Sequence, residues 1–224
     1  MWGLLLLLLV LLGLGLHWLW RVADAANVAD WGGKWRNRID GLSRLLLRHY
    51  HGFDPTPLPL PQQGPALLVA NHVSGLDPMM MIAASRRPVR FIIASEQYHR
   101  FGLHWLFRLG GCIPVDRKTR DDSAFQAALQ ALQRGEVVGL FPQGRIPNRG
   151  EPPLRIRRGV ARLASLSQAP VYPMTVSNIR AAGHVVLAVL VPSRARMQTY
   201  PPLECERDDE KSCLQKLEQI LNNP

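Results

Sequence analysis

Hydrophobic and polar positions divide the chain into three regimes. The opening run, MWGLLLLLLVLLGLGLHWLW, is apolar throughout and carries no charged side chain through Trp20. About 20 such residues, rising ~1.5 Å each, match the ~30 Å of hydrocarbon in a bilayer. Residues 21–51 are basic and partly amphipathic, with Leu42, Leu45 and Leu46 at helical spacing beside Arg44 and Arg48. That pattern predicts a helix lying on a membrane surface or packed against a domain. The proline-rich DPTPLPLPQQGP, residues 54–65, marks a boundary. Beyond it, short apolar runs alternate with helical stretches. Strands are predicted over 66–70, 89–94, 111–115, 137–141, 171–176 and 185–191, and helices over 78–86, 96–109, 121–134 and 156–168. A last helix is predicted over 208–221, with Leu214, Leu217 and Leu221 on one face. The alternation predicts an α/β domain with a largely buried sheet. The expected division is a membrane-anchoring helix over 1–20, a basic segment and linker over 21–63, and the main domain over 64–224.

Charge sharpens the picture. Formal net charge is +10, and Lys34, Lys118, Lys211 and Lys216 are the lysines among 27 basic residues; the others are arginines. Arginine's planar fork matches phosphate oxygens two at a time. The charge alone admits nucleic acid, anionic lipid or a phosphorylated small molecule. The apolar start favours lipid over nucleic acid. Trp2, Trp18 and Trp20 sit at its two ends, as interfacial tryptophans do, and Arg21, Lys34, Arg36 and Arg38 follow it. The expectation is therefore a membrane anchor with the main domain on the cytoplasmic side. A cleaved signal ending near ADAA, residues 23–26, is the competing reading, disfavoured by the absent basic leader and the long leucine run. Cys112, Cys205 and Cys213 lack CxxC spacing, so neither a disulfide framework nor a zinc site is expected. His49 and His51 lack a supporting carboxylate pattern, and no metal site is expected there.

The candidate chemistry lies in LLVANHVSGLDPMMM, residues 67–81. A buried strand stops at Asn71-His72, and Asp77-Pro78 suits the start of a helix. Strand ends of this kind line the crevice where α/β proteins hold ligands. Asp77 alone is explained by helix capping, and His72 alone by a bond to a backbone carbonyl. Together they form a base with its orienting carboxylate. The missing third member of a triad would be a hydroxyl of the substrate. Ser74 lacks a Gly-x-Ser-x-Gly elbow and is not read as a nucleophile; Cys112 is read as a buried small residue.

NHVSGLDP resembles the Asn-His-x-x-x-x-Asp signature of the glycerolipid acyltransferases, whose members include the 1-acylglycerol-3-phosphate acyltransferases. Three further blocks follow in the family's order: GGCIPVDR at 110–117, LFPQGRIPNRG at 140–150 and APVYPMTV at 169–176. RRGVARLA, residues 157–164, is similar to the helix start often found between the last two. The resemblance covers about residues 64–180. It implies a glycerol-3-phosphate acyltransferase-like mixed sheet flanked by helices. It implies transfer of a fatty acyl group to the hydroxyl of a lysophospholipid, 1-acylglycerol-3-phosphate first among them. Other lyso-lipids and a non-catalytic lipid-binding protein are the alternatives. The donor would be acyl-CoA or acyl carrier protein, with no cofactor besides. His72 would be the general base, oriented by Asp77. Asn71, Arg117, Gln143, Gly144, Arg145 and Arg158 would bind substrate; Arg155 and Arg157 are read as a solvated or headgroup-facing surface. The chain departs from the family pattern at Gln143, where Glu is usual.

Overall fold

A computed structural model describes residues 2–117, 122–147, 151–152 and 154–222. Position 121, the first of one expected helix, and positions 148–150, the end of the third block, lie outside the described residues.

Helix α1 (Trp2–Ala26) is 25 residues long and apolar enough to cross a membrane. It turns back into α2 (Lys34–Leu45), which runs on as one π-helical turn over Leu46–Tyr50. Gly41 permits the close crossing of the two helices, since a Cβ there would lie 1.9 Å from the Ala23 carbonyl oxygen. At the mouth of this hairpin, Trp20 and Trp35 meet edge to face at 5.3 Å, with the Arg38 guanidinium over both rings. Arg38 also donates to Asp24 at 2.9 Å.

The main domain alternates β1 (Ala66–Ala70), α3 (Asp77–Ala84), β2 (Val89–Ala94), α4 (Ser95–Tyr98), α5 (His104–Leu109), β3 (Ile113–Val115), α6 (Ser123–Gln133), β4 (Val137–Leu140), α7 (Gly159–Ser167), β5 (Val171–Ser177), α8 (Leu187–Leu190), β6 (Arg196–Thr199) and α9 (Glu210–Asn222). The sheet order is β3-β2-β4-β1-β5-β6, parallel except where β6 runs antiparallel to β5. The central strand β1 is buried at every position. Leu67 and Val69 pack with α6, α7 and α9, while Ala66, Leu68 and Ala70 pack with α3 and Leu58. A strand covered on both faces reads as an unbroken apolar run, as ALLVA does.

The expected strands at 66–70 and 89–94 coincide with β1 and β2. The expected strand at 185–191 does not form. That stretch makes one helical turn, α8, and the sixth strand is RMQT, residues 196–199. A run as apolar as VVLAVLV satisfies either period, and here its inner residue Ala188 packs against α3 while Val186, Leu187 and Leu190 face outward. The expected helix at 96–109 is broken between α4 and α5, where Gly102 takes a left-handed turn. The expectation of no disulfide is also corrected. The Val171–Leu203 bridge and the start of α9 bring Cys205 and Cys213 to a Cα separation of 5.4 Å, and the two are bonded.

One arginine ties the N-terminal hairpin to the domain. Arg44 pairs with buried Asp40 at 2.7 Å and donates to the carbonyls of Ile82, Ala83 and Ser85 at the end of α3. Arg44→Ala should lower unfolding stability by about 3 kcal/mol, because it removes the cation paired with buried Asp40, whose remaining donors are Asn27 and Val28, and takes one donor from each of three carbonyls; denaturation of the detergent-solubilised protein would measure this. His51 is fully buried and its Nε2 donates to the Val189 carbonyl at 3.1 Å. Burial pushes its pKa below 6.5. The unfolded chain therefore takes up the proton first, and stability present above about pH 6.5 is lost as pH falls toward the folded value. His51→Gln should flatten that slope in denaturation curves collected between about pH 7 and pH 5.

Candidate active site

β1 ends at Ala70, and the next seven residues make a corner around one carboxylate. Asp77 is wholly buried in the first turn of α3. Its Oδ2 accepts from the backbone N–H groups of Val73 (2.7 Å) and Ser74 (2.8 Å) and faces His72 Nδ1 at 2.8 Å. Its Oδ1 accepts from the Ser74 hydroxyl at 2.7 Å. The expectation that Asp77 is the helix N-cap is corrected: Leu76 holds that position without a side-chain cap bond, and the Asp77 carboxylate serves the loop before it, where Ser74 Oγ accepts the Leu76 N–H. Two fixed N–H donors make Oδ2 an acceptor, so Nδ1 carries the imidazole proton and Nε2 keeps its lone pair. The His72 side chain is 18% exposed, enough to meet a substrate.

Packing fixes the ring's plane. Phe141, just after β4, stacks on His72 with centroids 4.0 Å apart and planes 13° apart. Phe91 stands behind Phe141 at 6.0 Å. Gly139 makes the room, because a Cβ there would lie 2.6 Å from the Phe91 ring. Gly75 is required for a similar reason: a Cβ would lie 2.0 Å from the Val185 carbonyl oxygen.

The structure brings most of the expected residues together. Asn71 bonds the Val176 backbone at both ends of its amide, donating at 3.0 Å and accepting at 2.7 Å, so it joins the ends of β1 and β5. Gln143 Oε1 accepts the His72 backbone N–H at 2.9 Å. Gly144 adopts φ +77°, and its carbonyl accepts from Arg117 at 2.6 Å. Arg117 also pairs with Glu96 at 3.5 Å. Arg145 follows directly and is paired with Glu151 at 2.7 Å. Arg158 is not brought to this corner; it lines a surface cleft with Arg207, Asp208 and Lys211. Its neighbour Arg157 takes the position instead. A Cβ on Gly144 would lie 2.8 Å from the Arg157 guanidinium, and the Arg157 N–H donates to the Pro142 carbonyl. Sequence reasoning set Arg157 aside because the helix start at Gly159 favoured its neighbour. It missed Phe141 and the service of Ser74 to Asp77, although both stand inside the quoted blocks. Cys112 is largely buried, which pushes its thiol up to about 11.

A family model described as Acyltransferase matches residues 56–177. The chain belongs to the Acyltransferase family. A probable 1-acyl-sn-glycerol-3-phosphate acyltransferase from Mycoplasma pneumoniae is 29% identical over 171 residues, 70% of this chain and 56% of that protein. An N-acylphosphatidylethanolamine synthase from Arabidopsis thaliana is 30% identical over 128 residues, 51% of this chain and 43% of that protein. The chain thus spans about half the length of these curated relatives. The crystal structure of the 1-acyl-sn-glycerophosphate acyltransferase PlsC from Thermotoga maritima superposes with a TM-score of 0.65 at 16% identity, covering 84% of this chain and 79% of that one. The mixed sheet flanked by helices is the fold of that acyltransferase.

The bond that Gln143 accepts from the His72 N–H needs an oxygen, not a charge, and a glutamate at this position could accept it equally. Gln143→Glu should keep acyl-transfer turnover within about threefold. Gln143→Leu, which strands that N–H, should lower kcat by about tenfold or more, read in steady-state assays of the purified protein.

Proposed function

We propose that this protein transfers a fatty acyl group from a thioester donor, acyl-CoA or acyl carrier protein, to the free hydroxyl of a lysophospholipid, 1-acylglycerol-3-phosphate foremost. The single observation that carries the reading is the His72–Asp77 pair, in which Nδ1 lies 2.8 Å from the buried carboxylate and the imidazole is partly exposed. The family match and the relatives named as 1-acyl-sn-glycerol-3-phosphate acyltransferases support it. In this mechanism Nε2 takes the proton from the acceptor hydroxyl as its oxygen attacks the thioester carbon. The resulting imidazolium is held by Asp77. Collapse of the tetrahedral intermediate breaks the carbon–sulfur bond, and the departing thiolate takes the proton back from Nε2. No nucleophile from the chain is needed. Such base catalysis contributes about 10²–10⁴-fold.

Acceptor binding falls to the guanidinium groups around Gly144. Arg117 and Arg157 approach the same turn, and Arg145 adjoins it; planar forks suit a phosphomonoester. The likeness to an N-acylphosphatidylethanolamine synthase supports a second reading, in which the acceptor is the amine of an ethanolamine headgroup. The same base would then take a proton from nitrogen. The α1 helix supports an enzyme attached to the membrane that holds its acceptor, with its domain on the cytoplasmic side, where basic residues follow the span.

His72→Ala should lower kcat by about 10²–10⁴-fold while the circular dichroism spectrum is unchanged; wild-type turnover of the purified variant would refute the reading. Arg157→Ala should raise the KM for lysophosphatidate about tenfold and Arg158→Ala less than about twofold. An acceptor panel with lysophosphatidate and phosphatidylethanolamine at fixed donor separates hydroxyl from amine transfer.

A further inference from the structure

The stretch that fails to become a strand carries a feature the reaction does not explain. Residues 183–190 are bound to the catalytic corner. The Gly183 N–H donates to the Val73 carbonyl at 2.8 Å, and the Gly75 N–H donates to the His184 carbonyl at 3.2 Å. With the Val185 carbonyl seated against Gly75, this segment and the His72–Asp77 loop form one packed unit. The inner side chain Ala188 is buried with Leu76, Met80 and Leu47. The outer side chains Val186, Leu187 and Leu190 stand bare, and Leu190 is 63% exposed. Tyr50 joins them from the π-helical turn after α2, its hydroxyl donating to the Leu190 carbonyl at 2.6 Å.

Charge names the occupant. Exposed Arg180, Arg194 and Arg196 flank this apolar tip in the chain. No Asp or Glu occurs from Pro152 through Leu203, nor between Asp40 and Asp54. Apolar tips, a tyrosine with its hydroxyl fixed and arginines without neighbouring carboxylates are complementary to an anionic leaflet: hydrocarbon for the tips, phosphates for the fringe. Tyr50 lies at the end of the helical run that begins with α2, which itself packs on α1, the helix apolar enough to cross a membrane.

We infer that Val186, Leu187, Leu190 and Tyr50, with exposed Arg180, Arg194 and Arg196 flanking them in the chain, form a second membrane contact. It would seat the catalytic corner on the anionic leaflet that holds the acceptor. The surface deepens the proposed lipid-acylating function, and its physical test requires no turnover.

The full-length protein carrying Cys112→Ser and Leu187→Cys, labelled with a nitroxide, is reconstituted in phosphatidylglycerol-containing vesicles. Power saturation should find the label exposed to oxygen and shielded from a polar relaxer. A label introduced by Gln130→Cys on α6, across the sheet, should stay aqueous. An aqueous label at 187 would overturn the inference whether or not acyl transfer is observed. So would spin–spin broadening at 187 that persists in detergent without vesicles, which would mean that a second copy covers the patch. The Leu187→Ser, Leu190→Ser double variant should raise the KM for a long-chain acceptor in vesicles about tenfold, with turnover of a monomeric short-chain acceptor unchanged. Equal loss on both acceptors would count against a membrane contact.

Discussion

A wholly buried carboxylate has to be given donors, and the corner at 71–78 is organised by how Asp77 obtains them. Two backbone amides, one hydroxyl and one imidazole converge on it. An unpaired charge there would be ruinous; a satisfied one dictates the loop's path. The geometry of the His72–Asp77 pair and the stability of the corner are therefore one arrangement. The N–H groups of Val73 and Ser74 that fold the loop are the same groups that define Oδ2 as an acceptor and so decide the His72 tautomer.

The sheet delivers the remaining parts to that point. Parallel strands end on the same side, so the residues following β1 and β4 meet although 70 positions separate them. Phe141 lies on His72, and Gln143 holds its N–H, only because β1 and β4 pair from Ala66–Val137 to Val69–Leu140. A one-residue slip in that register would carry Phe141 to the other face. The glycines of the blocks serve close approach: Gly139 admits the Phe91 ring, Gly75 admits the Val185 carbonyl, and Gly144 admits the Arg157 guanidinium.

Burial on both faces is what made β1 legible in the amino-acid sequence, since a continuous apolar run bounded by turn residues has few other readings. His72 and Asp77 were legible because strand end and helix start are local features. What failed was decided at long range. VVLAVLV is apolar enough for a strand, yet the place beside β5 goes to the amphipathic RMQT, whose polar side chains suit a sheet edge. Cys205 and Cys213 bond because a bridge to β5 turns the chain back on α9, which a sequence separation of 8 does not reveal. Arg157 and Arg158 are adjacent and chemically identical; only the turn at Pro142–Gly144 distinguishes them. The family's resemblance marked Gln143 as a departure, but the bond that Gln143 accepts joins residues 71 positions apart.

A lipid-acylating enzyme faces a positional constraint that a soluble one does not: the acceptor's tail stays in hydrocarbon, so the base must be held at a fixed height above it. The covalent path from α1 to His72 is long, but the packed path is short. α3 begins with Asp77, the partner of His72, and ends at the carbonyls that Arg44 of α2 holds. Eight residues of helix span about 12 Å. Arg44 of α2 and the Asp77–His72 bond thus lie at opposite ends of one short helix. Around the hairpin's mouth, Trp20, Trp35 and Arg38 form the kind of aromatic and cationic knot that favours the headgroup layer. Under the function proposed above, this packed path from α2 through α3, rather than the long covalent one, is what would fix the height of the imidazole above the leaflet.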